Sequence, residues 1–239
     1  MLKSYKNMWL LFSFLLFTSS FLHTQTLEGT TGLFFIPTAE MQRDGQLSIG
    51  TNFVNRELIS FGGFAEDAFT PFITFTYLPS VEFSLRITRL IKSRVTTQGI
   101  GDRTLSVRIR FIEEGEVLPA FAFGLHDALA VFGGSGAIHN NALYIVSSKN
   151  ISLHSFLIES ISLHAGYGSD AIKADTHNFV GLFGGLSLHL LNHFELMTEY
   201  DGKRANCGLR VKYFDHLSLL GGFIGYKYFS GGASFFFTI

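Results

Sequence analysis

Apolar and polar residues alternate with a period of two along most of this chain, and strict alternation over several residues marks a strand that buries one face. Gln46–Asn55 sets Leu47, Ile49, Thr51 and Phe53 against Ser48, Gly50 and Asn52. Pro71–Tyr77 sets Ile73, Phe75 and Tyr77 against Thr74 and Thr76, and Val81–Leu90 sets Val81, Phe83, Leu85 and Ile87 against Glu82, Ser84, Arg86 and Thr88. Arg103–Phe111 opposes Leu105, Val107, Ile109 and Phe111 to Thr104, Ser106, Arg108 and Arg110. Ala205–Phe214 opposes Cys207, Leu209, Val211 and Tyr213 to Asn206, Gly208, Arg210 and Lys212.

Between these lie less regular segments: strands are expected over Ala120–Ala130, Ala142–Lys149, Glu159–Gly168 and Asn178–Leu190, with an unassigned stretch around Ile151–Phe156. Phe194–Tyr200, Leu217–Tyr226 and Gly231–Ile239 complete the set. The total is about twelve strands of roughly 8–11 residues, the length a tilted membrane strand requires, and ten or fourteen also fit. Connections alternate in length: short near Pro79, Gly115, Asn192 and Asp215, longer near Gly62, Gly99, Ser135 and Asp170. Bacterial membrane barrels show that alternation, with both termini on the periplasmic side when the strand number is even.

The closing residues GGASFFFTI place Ala233, Phe235, Phe237 and Ile239 on one face and Gly232, Ser234, Phe236 and Thr238 on the other. So apolar a last strand suits a barrel whose outer face meets lipid, and it resembles the C-terminal signal of bacterial outer-membrane barrels. The expected class is therefore all-β, a transmembrane antiparallel up-and-down β-barrel. Composition agrees: 27 Phe and 25 Gly with 15% charged residues suit strands facing hydrocarbon better than a soluble sandwich. A net charge of −1 gives no field to attract nucleic acid, and the single Cys207 rules out an intramolecular disulfide.

Lys3 and Lys6 precede an apolar run, Trp9–Phe17, and then small and polar residues Thr18–Ser20. That order is a secretory signal peptide's, and the run is too short to span a bilayer. The expected organisation is a cleaved signal peptide over 1–25, a short periplasmic element over 26–45 that folds into the barrel mouth, and the barrel over 46–239. Within the middle element, Leu33–Ile36 reads as a short strand stopped by Pro37, and Thr38 as the cap of a helical turn. The implied location is the outer membrane of a Gram-negative cell.

Lumen chemistry follows from the register. Arg86, Arg108, Arg110, Arg210 and Lys212 face inward with Glu82, Glu195 and Glu199. An Arg or Lys on the lipid face at mid-bilayer costs roughly 2–4 kcal/mol, which fixes this choice of face. The inward charges read either as a salt-bridged filling or as a lumen for an anionic solute. Three Ser-Leu-His tripeptides, Ser152–His154, Ser162–His164 and Ser187–His189, put a hydroxyl and an imidazole on one strand face. They carry a minor third reading, a barrel hydrolase acting on lipid or glycan. Nothing else points to catalysis, a cofactor or a metal cluster, and the main expectation is a non-enzymatic protein without a cofactor.

The stretch TGLFFIPTAEMQRDGQLSIG resembles the opening of the YjbH-type outer-membrane proteins, with a G-L-x-x-x-P-T-A run, then D-G, then the first strand. Gly101–Leu129 is similar to a second block of that family, and Leu143–Asn150 (LYIVSSKN) to a third. The resemblance implies an outer-membrane barrel associated with exopolysaccharide production or export, and supplies no catalytic residue. The partners expected are outer-membrane lipid, an anionic polysaccharide and other envelope export proteins. The leading expectation is a conduit or accessory for exopolysaccharide; the alternative is a closed barrel serving as anchor or docking surface.

Overall fold

The computed structural model describes residues 24–61, 64–91, 101–131, 140–153, 155, 157–172, 174 and 176–239. The run expected as a signal peptide falls almost wholly outside them; Thr24 and Gln25 are described and buried.

Among the described residues, twelve antiparallel strands close into one barrel. They are β1 (Gln46–Val54), β4 (Ala68–Tyr77), β5 (Val81–Leu90), β6 (Asp102–Ile112), β7 (Ala120–His126), β8 (Ala142–Ser152), β9 (Ile158–Ser169), β10 (Gly181–Leu190), β11 (Phe194–Tyr200), β12 (Ala205–Tyr213), β13 (Leu217–Ile224) and β14 (Tyr228–Thr238). Two short strands, β2 (Ser60–Phe61) and β3 (Phe64–Ala65), pair with each other in the connection between β1 and β4. Each wall strand pairs with its sequence neighbour, and β14 returns to β1 with Leu47 opposite Phe237 and Thr51 opposite Ala233. Closure removes the sheet edges, as hydrocarbon surroundings demand.

Alternation in the sequence becomes alternation between two solvents. Ile49, Phe83, Ile109, Leu163, Leu209 and Phe235 are exposed on the outside, while Ser48, Thr74, Ser84, Ser106, Ser162 and Ser218 are buried within. Aromatic side chains collect at both rims: Tyr77, Phe111, Phe194, Tyr213 and Phe237 at the end carrying residues 78–80, 191–193 and 214–216, and Phe69, Tyr167, Tyr200, Phe223 and Phe229 at the other. Two girdles around an apolar belt are how a barrel meets the two interfaces of a bilayer. We call the first rim the turn end and the second the loop end.

Boundaries moved where the backbone leaves the strand region. β7 stops at His126, because Asp127 has φ 58 and Ala128–Val131 forms one helical turn. β10 starts at Gly181 rather than Asn178, because Phe179 (φ 56) turns its ring into the barrel. β4 begins at Ala68, three residues before Pro71.

The lumen is filled by the chain itself. Residues 24–39 are all buried, and the segment runs inside the ring of strands before leaving through residues 43–45 at the turn end. Leu33–Ile36 is a tight turn, with Leu33 N–H donating to Ile36 C=O at 3.1 Å, and not the short strand expected. Thr38 likewise starts no helical turn. Enclosure by twelve strands overrides these local preferences, because the wall offers partners in every direction.

Candidate functional site in the barrel lumen

Among the described residues, the backbone–backbone hydrogen bonds of residues 24–38 stay within the lumen segment, such as Thr26 N–H to Thr30 C=O and Leu27 N–H to Phe34 C=O. Its two bridges, Gln25 with Thr31 and Gly32 with Pro37, are internal to it. Contacts with the wall run from wall side chains to segment backbone, and the inward residues anticipated from the alternation supply the strongest.

Glu199 of β11 accepts the N–H groups of Phe34 at 3.1 Å, Phe35 at 3.0 Å and Ile36 at 3.2 Å. Arg210 of β12 donates from Nη2 to the carbonyls of Gln25, Gly32 and Leu33 at 3.1, 3.0 and 2.8 Å, while its Nη1 pairs with Glu195 at 2.7 Å. Arg108 of β6 donates to the carbonyls of Thr31 and Thr38, each at 2.7 Å, and of Glu40 at 3.0 Å. Glu82 of β5 pairs with Arg108 at 3.0 Å and accepts the Thr31 N–H at 3.0 Å and the Thr31 hydroxyl. Carboxylates take the segment's N–H groups and guanidinium groups take its carbonyls. Charge-assisted bonds of this kind are roughly twice as strong as neutral ones.

Arg86 of β5 binds the segment through a side chain instead, forming an ion pair with Glu28. His126 Nε2 lies 3.0 Å from the same Glu28 oxygen, with Nδ1 2.7 Å from the Ser106 hydroxyl. Burial by itself would push the Glu28 carboxyl up; Arg86 and His126 override it and hold it down at about 2. Asn52 donates to the carbonyls of Thr26 and Leu27 at 3.3 and 3.0 Å, and the Ser148 hydroxyl accepts the Ala39 N–H at 2.8 Å.

Two of the inward charges lie elsewhere. Arg110 braces the turn end, donating to Pro79 C=O at 2.7 Å with Glu113 at 3.4 Å. Lys212 sits near the same rim, where Glu195, Glu40 and Glu159 are its acidic surroundings.

Apolar contacts add to the polar set. Leu27, Leu33, Phe34, Phe35 and Ile36 are at most 1% exposed, and burying each such side chain contributes about 1.5–3 kcal/mol. Phe35 packs on Phe179 at 5.1 Å between ring centroids, and Phe179 on Phe183 at 5.6 Å and Tyr144 at 6.1 Å. The connection between β9 and β10 therefore also reaches inward and meets the segment.

Of the Ser-Leu-His repeats, His154 is outside the described residues. His164 Nδ1 lies 2.8 Å from Ser148, not from the serine of its own tripeptide, and His189 Nε2 lies 3.3 Å from Ser162 and 3.4 Å from Ser187. Ser162 is fully buried and also accepts a bond from Asn150 at 2.9 Å, so its hydroxyl sits inside a packed polar network. Among the described residues no cluster of three or more His, Cys, Asp or Glu is placed to hold a metal ion.

The alternation gave no sign of Glu28, Thr31 or the Phe34–Ile36 amides as partners of the wall, nor of His126 as the wall's contact to Glu28. One signal was present: Glu199 faces inward without a basic neighbour on its own strand. Such a carboxylate needs donors from elsewhere.

The model of the YjbH family, described as exopolysaccharide biosynthesis protein, matches residues 24–207 and so includes the lumen segment with most of the wall. A solved structure titled KdgM porin is similar in shape, with TM-score 0.48, 11% identity, and coverage of 81% of this chain and 99% of the other. No curated protein matches the sequence.

Proposed function

We propose, since the chain belongs to the YjbH exopolysaccharide biosynthesis family, that it is a non-enzymatic outer-membrane barrel acting in exopolysaccharide production as a gated conduit, with residues 24–42 as the gate. The observation that carries this reading is how the segment is held. Among the described residues it shares no β-ladder with the wall, so it can leave without breaking the sheet. On the usual disposition of such barrels, the short turns face the periplasm and the longer connections the outside. The segment then enters from the periplasmic side, within reach of other envelope export proteins. Withdrawal bares Arg86, Arg108 and Arg210 among Glu82, Glu195 and Glu199. Arg108, Arg210, Glu82 and Glu199 now bind amide N–H and C=O, Arg86 binds a carboxylate, and the same donors and acceptors suit the hydroxyls and carboxylates of an anionic polysaccharide.

A second reading is a barrel that stays closed and serves as anchor or docking surface, and the filled lumen favours it. A disulfide tether separates the two. A Cβ at Gly208 would lie 3.1 Å from the Cβ of Phe34, a few tenths of an ångström below the roughly 3.5–4.5 Å of a disulfide. Cells carrying Phe34→Cys with Gly208→Cys in a Cys207→Ser background should lose surface exopolysaccharide once the tether forms, and either cysteine alone should not have that effect. Undiminished polysaccharide from a fully tethered barrel would leave the closed reading standing.

A further inference from the structure

The lumen charges fall into two matched groups. Glu82 stands opposite Arg108 on β5 and β6, and Glu195 stands opposite Arg210 on β11 and β12. These strand pairs lie six places apart in a ring of twelve, on opposite sides of the barrel. Each glutamate is the second residue of its strand at the turn end, and they pair with their arginines at 3.0 and 2.7 Å. Both pairs belong to the wall, so each stays neutral without the segment. Four residues further along the same faces the match breaks: β5 carries Arg86 and β11 carries Glu199. The carboxylate that pairs with Arg86 is the segment's own Glu28.

The place that holds Glu28 is built for one carboxylate. A single oxygen, Oε2, meets both Arg86 Nη1 and His126 Nε2, the latter at 3.0 Å. Arg86 and His126 are 3% and 2% exposed, and the wall braces each of them. Arg86 Nη2 donates to the Thr104 hydroxyl at 3.4 Å, and His126 Nδ1 lies 2.7 Å from the Ser106 hydroxyl. A serine hydroxyl can donate or accept, so Nε2 keeps its N–H for the carboxylate in the neutral and the protonated ring alike. All four side chains stand on β5, β6 and β7 and remain when the segment leaves. A guanidinium stripped of its buried partner is costly, which favours a replacement anion.

We infer that Arg86 and His126, braced by Thr104 and Ser106, form the site in the open lumen that takes the carboxylate of an acidic sugar unit. Glu28 occupies that site as a stand-in while the barrel is closed. Arg108 and Arg210 keep glutamates of their own, so recognition of the acid group falls to Arg86 and His126. Glu199, at the matching position of the far wall, is an acceptor for sugar hydroxyls. The sugar occupant rests on the conduit reading, whereas the carboxylate site rests on the closed structure alone.

Two measurements on the whole barrel test the site and its occupant separately. Glu28→Ala empties the site and removes a group the size of acetate. In urea unfolding from lipid vesicles, acetate at about ten times its dissociation constant should raise this variant's folding equilibrium constant about tenfold. Acetamide, or chloride at equal ionic strength, should leave that constant unchanged. Adding Arg86→Gln or His126→Gln to Glu28→Ala should abolish the acetate effect. No acetate effect in a folded Glu28→Ala barrel, or an equal effect from acetamide, overturns the site. Fluorescence anisotropy with a labelled glucuronic acid oligomer then tests the occupant. The wild type should bind the acid oligomer about tenfold more tightly than its methyl ester, and Arg86→Gln or His126→Gln should bring the two together. An acid preference that survives in both variants overturns the assignment to Arg86 and His126. Equal affinities in the wild type, or binding of neither oligomer while acetate still acts, would make the site a lock for Glu28 alone and overturn the sugar occupant. The acetate result does not depend on what crosses the lumen, so the site and the conduit reading fail separately.

Discussion

Glu82 and Arg108 stand directly opposite each other on β5 and β6, form a 3.0 Å ion pair, and bind Thr31 of the lumen segment from both sides. The carboxylate takes the Thr31 N–H and the guanidinium takes the Thr31 carbonyl. Both side chains are fully buried. A buried pair that also satisfies a third group is worth most when one member is removed, since the other is left charged and unpaired.

Arg108→Ala should accordingly destabilise the folded barrel by about 3–5 kcal/mol, as measured by urea unfolding in lipid vesicles. Arg110, two residues along on the same face, bonds only the turn end, and its acidic partner Glu113 is largely exposed. Arg110→Ala should cost about 1 kcal/mol or less. Similar losses for the two would mean that Arg108 is not the segment's clamp.

Acid should loosen the lumen segment through Glu28. Its carboxyl titrates near 2 in the folded protein against an ordinary value of 4.5, so the stabilisation is complete above pH 4.5 and disappears as pH falls toward 2. The gap corresponds to about 3 kcal/mol, well below the summed apolar burial of the segment, so acid should loosen it without ejecting it. Hydrogen exchange of residues 24–42, corrected for intrinsic rates, should rise over that window. In Glu28→Gln exchange should be faster at neutral pH and the acid-dependent rise from this group absent. An unchanged pH profile in the variant would assign the effect to other groups.

Gly32→Ala should unseat the segment without touching the wall. A Cβ there would sit 2.3 Å from the Ile36 carbonyl oxygen and 3.0 Å from the Pro37 Cα, both of them backbone atoms that cannot swing aside. Protease cleavage within residues 24–42 should become rapid while the barrel stays resistant. A segment as protected as in the wild type would show that the turn can open to admit the methyl group.

The histidine contacts are predicted to be structural. Replacing His164 and His189 by Ala should leave any esterase or glycosidase reading of the purified barrel at its background, and should lower thermal stability because Ser148 and Ser162 lose partners. Hydrolysis that disappears with either histidine would revive the enzyme reading.

The wall was legible because a barrel between lipid and a polar lumen writes its register directly into the sequence. Leu105, Val107 and Ile109 against Thr104, Ser106 and Arg108 could take only one orientation, since the reverse would put Arg108 into hydrocarbon. The lumen segment was not legible in this way. Leu33–Ile36 has neither strand nor helix period, and its apolar side chains are buried because twelve strands surround them, a fact no local window contains. The ends of β7 and β10 are not legible for a related reason: Asp127 and Phe179 adopt positive φ and turn toward the interior, which Asp tolerates and a bulky Phe rarely does.

Closure of a continuous lumen by residues 24–42 is open to test by single-channel conductance in planar bilayers. The folded whole barrel is compared with a folded variant lacking those residues. Silence is expected from the whole chain and discrete conductance steps from the shortened one, reduced when an acidic polysaccharide is added. Silence from both, or equal steps from both, would contradict it.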